Sequence, residues 1–126
     1  MIKIEQLSKQ FATTLAVNDL SLHIEKGELF SFLGPNGAGK TTTIKMMVGL
    51  MTPSSGKVTM GGFDVEKEPQ KAKSIIGYVP DAAFLYQHLT GLELLMMVGQ
   101  LYSMDTKKIE HEQDMLSERL FMREWL

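Results

Sequence analysis

Cysteine is absent from this 126-residue chain, which excludes disulfides and thiolate zinc sites and fits a reducing compartment. Long apolar runs are absent too. The most apolar stretch, Leu92 to Val98, carries Glu93 and is far too short to span a bilayer. Met1-Ile2-Lys3-Ile4-Glu5 has no apolar signal core, so no targeting segment is expected and a cytoplasmic location follows. Arginine is scarce: Arg119 and Arg123 sit near the end, the lysines are scattered, and the formal net charge is −2. That leaves no basic patch, and no nucleic-acid partner is expected. His23 is lone and lies in an expected strand, and His88 and His111 lack a second histidine or paired carboxylate at ligand spacing. The chain shows no internal repeat, no low-complexity stretch and no catalytic serine or thiol constellation.

What is present is ordinary for a soluble globular protein, with 44% hydrophobic and 22% charged residues. The length suits one small domain with a core and is too short for two. Ten methionines are many for this length and read as flexible core filler.

The strongest local pattern is Gly34-Pro35-Asn36-Gly37-Ala38-Gly39-Lys40-Thr41, followed by Thr42 and Thr43. It fits G-x-x-x-x-G-K-[ST], which requires an apolar strand before it and a helix after it. Glu28 to Leu33 reads as the strand, and Thr41 to Leu50 as a helix with Ile44, Met47, Val48 and Met51 on one face. The chemistry explains the residue types. A triphosphate is densely anionic, and a glycine-rich turn lets consecutive backbone N–H groups curl around it without Cβ atoms in the way. The helix then aims its unpaired first-turn N–H groups and positive dipole end at the same phosphates. Lys40 adds a mobile charge for the β- and γ-phosphates, and the Thr41 hydroxyl suits Mg²⁺, a hard cation that prefers oxygen.

Taken in order, Ile2 to Glu5 and Leu20 to Glu25 alternate apolar and polar residues and predict half-exposed strands, with turns at Asn18-Asp19 and Lys26-Gly27. An antiparallel layer thus precedes the loop. Phe11 lies between those strands, either as a base-stacking ring or as a core phenylalanine. Thr52 to Gly56 is a breaker cluster, Lys57 to Met60 a short strand, and Pro69 opens a short helix through Ser74. Ile75 to Pro80 is a continuous apolar run that suits a buried strand of a parallel sheet. Asp81 follows, placed either near the phosphate loop, as the carboxyl end of such a strand implies, or as a plain polar loop residue. Thr90 and Glu93 form a capping-box pattern for a helix to about Ser103. Asp105-Thr106 caps a last segment in which Ile109, Leu116, Leu120 and Trp125 recur at helical spacing.

The loop, Leu7-Ser8-Lys9-Gln10-Phe11 and Ala16-Val17-Asn18-Asp19-Leu20-Ser21 before it, and Pro53-Ser54-Ser55-Gly56-Lys57-Val58 and Ile76-Gly77-Tyr78-Val79-Pro80 behind it carry a resemblance. From Met1 to about Ser103 the chain resembles the first part of the nucleotide-binding domain of ATP-binding-cassette (ABC) transporters. The resemblance implies that Phe11 stacks on adenine, that Gly34, Pro35, Asn36, Gly37, Ala38, Gly39, Lys40, Thr41 and Thr42 cradle the phosphates of ATP, and that Thr41 ligates Mg²⁺. Asp81 falls where most members carry a glutamine that touches Mg²⁺ and senses the membrane partner. An acidic residue there, together with Leu85 to Leu95, is similar to a subgroup of export-type ATPases that includes drug and antibiotic-resistance exporters. The implied partners are a membrane-spanning transporter subunit and a second ATP-binding subunit, which puts the protein on the inner face of the membrane.

The family's signature segment (Leu-Ser-Gly-Gly-Gln), the strand ending in Asp-Glu and the later histidine are not found. Leu116-Ser117-Glu118-Arg119 lacks the glycines a phosphate-binding backbone needs. No catalytic residue is assignable. The expected fold class is therefore α/β: a partial P-loop NTPase core with an N-terminal antiparallel β layer over residues 1–88, and the truncated start of a helical subdomain over 89–126. An open apolar sheet edge and marginal stability are expected of it. The expected function is ATP binding, with hydrolysis coupled to transport in the complete cassette. The alternatives are a non-catalytic cassette fragment and a soluble, non-transporter cassette ATPase.

Overall fold

The N-terminal alternation builds a hairpin much longer than its two apolar patches. In the computed structural model, which describes residues 1–82 and 86–122, β1 runs Ile2–Phe11 and β2 runs Thr14–Ile24. The chain divides into two compact units, Met1–Val79 and Pro80–Leu126.

In the first unit β1 pairs antiparallel with β2 on one side and with β3 (Ser55–Met60) on the other, and β3 pairs with β4 (Phe63–Asp64). The strand order is β2-β1-β3-β4. The long hairpin is not regular. Its register slips between Ile4 and Leu7, between Leu7 and Lys9, and between Lys9 and Gln10, which leaves extra residues at Gln6 on β1 and at Asp19 and Ala16 on β2. Gln6 and Asp19 take positive φ, 49° and 47°. Serines on the facing strand satisfy both displaced amides: Gln6 N–H donates to Ser21 Oγ at 3.0 Å, and Asp19 N–H donates to Ser8 Oγ at 2.9 Å. Bulges of this kind shift the side-chain phase. They let Ile4 and Leu7, three residues apart, both be buried on the sheet, at 2% and 0% exposure.

The expected turn at Asn18-Asp19 is thus a bulge within β2, because the cross-strand ladder continues on either side of it. Helix α1 (Lys40–Met47) buries Met46 and Met47 against Ile4, Leu7, Val17 and Val58. Each such burial stabilises by about 1.5–3 kcal/mol. Thr43 and Met46, rather than Ile44 and Val48, lie deepest on α1. Helix α2 (Pro69–Ser74) has proline in its first turn, as expected, and buries Ala72.

The runs 28–33 and 75–80 do not form strands. Apolar content marks them for burial, but a strand also needs a partner ladder, and neither run joins a ladder with any described strand. Phe32 and Ile76 pack on the core cluster, while Leu29, Leu33 and Val79 are 100%, 90% and 89% exposed.

The second unit is a pair of helices, α3 (Gly91–Leu101) and α4 (Thr106–Arg119). The capping box forms as the spacing predicts. Glu93 N–H donates to Thr90 Oγ1 at 3.2 Å, and Thr90 N–H donates to Glu93 Oε2 at 2.7 Å. Asp105 caps α4 by accepting from Lys107 N–H. The buried stripe of α4 is Ile109, Gln113 and Ser117. Leu116 and Leu120 stay exposed, and Trp125 lies outside the described residues. Gln113 is admitted to the stripe because its amide donates to the Leu92 carbonyl at 2.8 Å.

Candidate functional site

Gly34 to Thr42 bridge the end of the irregular 28–33 run and the first turn of α1. Gly37 and Gly39 hold φ of 84° and 80°, the left-handed region in which glycine is unstrained. Ala38 N–H closes the turn on the Pro35 carbonyl at 3.3 Å. Gly39 is the N-cap of α1, and its carbonyl accepts from both Thr43 N–H at 2.8 Å and Thr43 Oγ1 at 2.9 Å. The N–H groups of Lys40, Thr41 and Thr42 therefore have no acceptor within the helix. No acidic side chain offsets the dipole in that first turn, so it presents donors and positive potential to an anion.

The Lys40 ammonium folds back over the loop and donates to the Gly34 and Pro35 carbonyls, each at 2.7 Å. Its two acceptors are neutral dipoles, so an anionic oxygen in the same place would bind the charge more strongly. The Thr41 side chain is exposed at the helix start and makes no hydrogen bond to a described residue, which leaves an oxygen donor of the kind a hard cation takes.

A cleft of about 260 Å³ lies beside the loop, walled by Ala16, Asn18 and Leu20 of β2 and by Phe32, Ala38 and Lys40. A Cβ on Gly39 would meet the Ala16 carbonyl oxygen, so the glycine is needed for close approach as well as for its φ.

Phe11 ends β1 opposite Thr14 and is 43% exposed rather than in the core. The Lys9 ammonium stands 5.3 Å from the ring centroid. Asp81 belongs to the second unit and is exposed, just after Pro80. His23 pairs with Glu25 at 3.0 Å on the strand surface. Among the described residues no group of three histidine, aspartate or glutamate side chains converges as a metal site, and no helix is long and apolar enough to cross a membrane.

Sequence reasoning missed Asp64, which organises the turn into α2. Its carboxylate accepts from Lys67 N–H at 3.1 Å and Glu66 N–H at 3.0 Å and pairs with Lys57 at 3.4 Å, and these contacts, the Lys67 amide first, hold its pKa below the usual aspartate value. It also missed Lys9, whose only local sign was its two-residue spacing from Phe11.

The family model described as ABC transporter matches residues 17–124. The chain is 44% identical over 104 residues to the linearmycin resistance ATP-binding protein LnrL of Bacillus subtilis strain 168, which covers 82% of this chain and 33% of that protein. It is 39% identical to the ABC transporter ATP-binding protein NatA of the same organism, over 100% of this chain and 53% of that one. The chain thus spans between a third and about half the length of these curated relatives. Among solved structures, an ATP-binding subunit of an ABC transporter superposes with a TM-score of 0.85 at 27% identity, covering 100% of this chain and 52% of that one. A dimeric post-hydrolysis ATP-binding cassette bound to ADP and Pi superposes with a TM-score of 0.70 at 27% identity, covering 77% and 46%.

Proposed function

The chain belongs to the ABC transporter family, and from that premise we propose that it acts as the ATP-binding part of an ABC transporter. The carrying observation is the Gly34 to Thr42 loop. Its left-handed glycines, the first-turn N–H groups of α1 left without helical acceptors, and the Lys40 ammonium over the loop carbonyls support the reading of an anion cradle. In this reading Asn36 to Thr42 cradle the phosphates and Lys40 moves from the Gly34 and Pro35 carbonyls onto phosphate oxygens. Thr41 offers its hydroxyl to Mg²⁺, which when bound neutralises phosphate charge. Phe11 offers its exposed ring to adenine.

Residues 1–88 serve as the ATP-binding core and 89–126 as the start of a helical subdomain. The whole protein hydrolyses ATP, pairs with a second ATP-binding subunit and docks on a membrane-spanning subunit from the cytoplasmic side. The dimeric state of the solved cassette supports the pairing. Likeness to a Nod factor export ATP-binding protein of Cupriavidus pinatubonensis, 34% identical over 87% of this chain and 34% of that one, supports an exporter.

Equilibrium titration with Mg-ATP tests the cradle. Hydrogen bonds to a charged group are worth about 1.5–3 kcal/mol, so Lys40→Ala is expected to weaken binding roughly 10- to 100-fold. Equal affinity in the two proteins would sink the proposal.

A further inference from the structure

Lys9 and Phe11 lie two residues apart on β1 and therefore share a face of the strand. The Lys9 ammonium is 5.3 Å from the Phe11 ring centroid, inside the distance of about 6 Å at which a cation feels the ring quadrupole. It does not swing free. Nζ donates to the Thr52 carbonyl at 2.6 Å, in the loop between α1 and β3. That loop is stitched to the same end of β1 twice more: Ser54 N–H donates to the Ser8 carbonyl at 2.9 Å, and Gln10 N–H donates to Ser54 Oγ at 3.0 Å. Lys9 is thus fixed over the ring of a residue that remains 43% exposed.

We propose that Lys9 is a positioning residue for base recognition: its anchored ammonium holds the Phe11 ring and leaves the opposite face as the stacking surface for a purine. The inference rests on the reading of Phe11 as the base platform. Two effects act together. A cation draws π density toward itself, so the far face becomes less electron-rich and stacks better on an electron-rich base. The clamp also removes ring motion before the ligand arrives, which lowers the entropy lost on binding. The location fits. Phe11 pairs with Thr14, which is two residues, roughly 7 Å, along β2 from Ala16. The Ala16 carbonyl is where β2 meets the phosphate loop at Gly39.

The test compares Mg-ATP with Mg-tripolyphosphate, which has the phosphates and no base, on the full chain and four variants. Lys9→Met is expected to weaken ATP about three- to tenfold, the range of an exposed to partly desolvated cation–π contact, and to leave tripolyphosphate unchanged. Lys9→Arg keeps the charge over the ring and is expected to stay within about twofold of the parent. Intact tripolyphosphate binding doubles as the check that the Lys9 and Phe11 variants are folded, and the urea midpoint does so for Lys40→Ala. Equal loss of both ligands in Lys9→Met, or loss of neither, overturns the inference. Phe11→Ala separates the layers: if it leaves ATP affinity unchanged, the base-platform reading falls and takes Lys9 with it. If Phe11→Ala weakens ATP and Lys9→Met does not, the Lys9 inference alone fails. Lys40→Ala, expected to weaken both ligands, reports on the cradle separately.

Discussion

The Cα of Gly39 sits so close to the Ala16 carbonyl that no side chain fits between them. The contact joins the first turn of α1 to a bulge in β2, so the glycine-rich loop proposed to hold phosphates is braced by a strand well before it in sequence. Phosphate loops work by presenting donors in a fixed cup, and a cup that must rearrange loses affinity to that rearrangement.

Gly39→Ala is therefore predicted to be clearly worse than Gly37→Ala. Both positions hold left-handed φ, at which alanine loses about 1–2 kcal/mol. At Gly37 a Cβ meets nothing within 4 Å, whereas at Gly39 it meets the Ala16 oxygen and lies 3.1 Å from Val17 Cγ2. Overpacking adds about 1–3 kcal/mol to the second variant only. Urea midpoints of the two variants measured side by side check this. Equal midpoints would show that the β2 contact yields freely.

Asp64 gives a pH prediction with a fixed sign. Its folded pKa is depressed by the Lys67 and Glu66 amides and by Lys57, and its side chain is only 12% exposed. A depressed carboxylate pKa contributes stability that is fully present above the unfolded value, about 3.9, and is lost as pH falls through the folded value. Glu5, Glu68 and Glu93 shift in the same direction, so the informative quantity is a difference. Asp64→Asn keeps one acceptor oxygen but no charge. The melting temperature of the parent should exceed that of Asp64→Asn above about pH 5, with the gap narrowing below about pH 4. Asp64→Ala, which also removes the acceptor, should cost about 1 kcal/mol at neutral pH, as other lost caps do. A gap that is flat across this range would mean the carboxylate charge does not matter.

Features governed by near neighbours were legible in the sequence. The glycine-rich turn into α1, the Thr90–Glu93 capping box and proline at the start of α2 each depend on residues within one or two turns. The hairpin was half legible. Ile2 and Ile4 alternate, then the next apolar residue is Leu7, and on β2 Val17 is followed by Leu20; each jump of three marks a bulge. Asn18-Asp19 carries turn chemistry, which made the second bulge resemble a break between strands. The runs 28–33 and 75–80 were misread because composition reports a wish for burial and says nothing of a partner. The Lys9 contact with Thr52 joins residues 43 positions apart, beyond any local pattern. Asp81 offered no such check, since the second unit leaves it exposed without assigning it a partner.

The last prediction sets helix propensity against packing. Gly99 is buried within α3, and replacing it with alanine would by propensity alone stabilise the helix by about 1 kcal/mol. The structure reverses that sign. A Cβ at Gly99 would stand 2.6 Å from Ile109 Cγ1 and 2.7 Å from Cδ1. Ile109 is itself 3% exposed and β-branched, so its side chain has few rotamers into which to retreat. Gly99→Ala is predicted to push α3 and α4 apart, strain the Gln113 bond to the Leu92 carbonyl and lower stability by a net of about 1–2 kcal/mol. Adding Ile109→Val removes Cδ1 and should recover part of the loss, although in the parent the same change costs about 0.5–1.5 kcal/mol. A double-mutant cycle by denaturant unfolding measures that coupling. Simple additivity of the two changes would show that the helices do not meet at this pair.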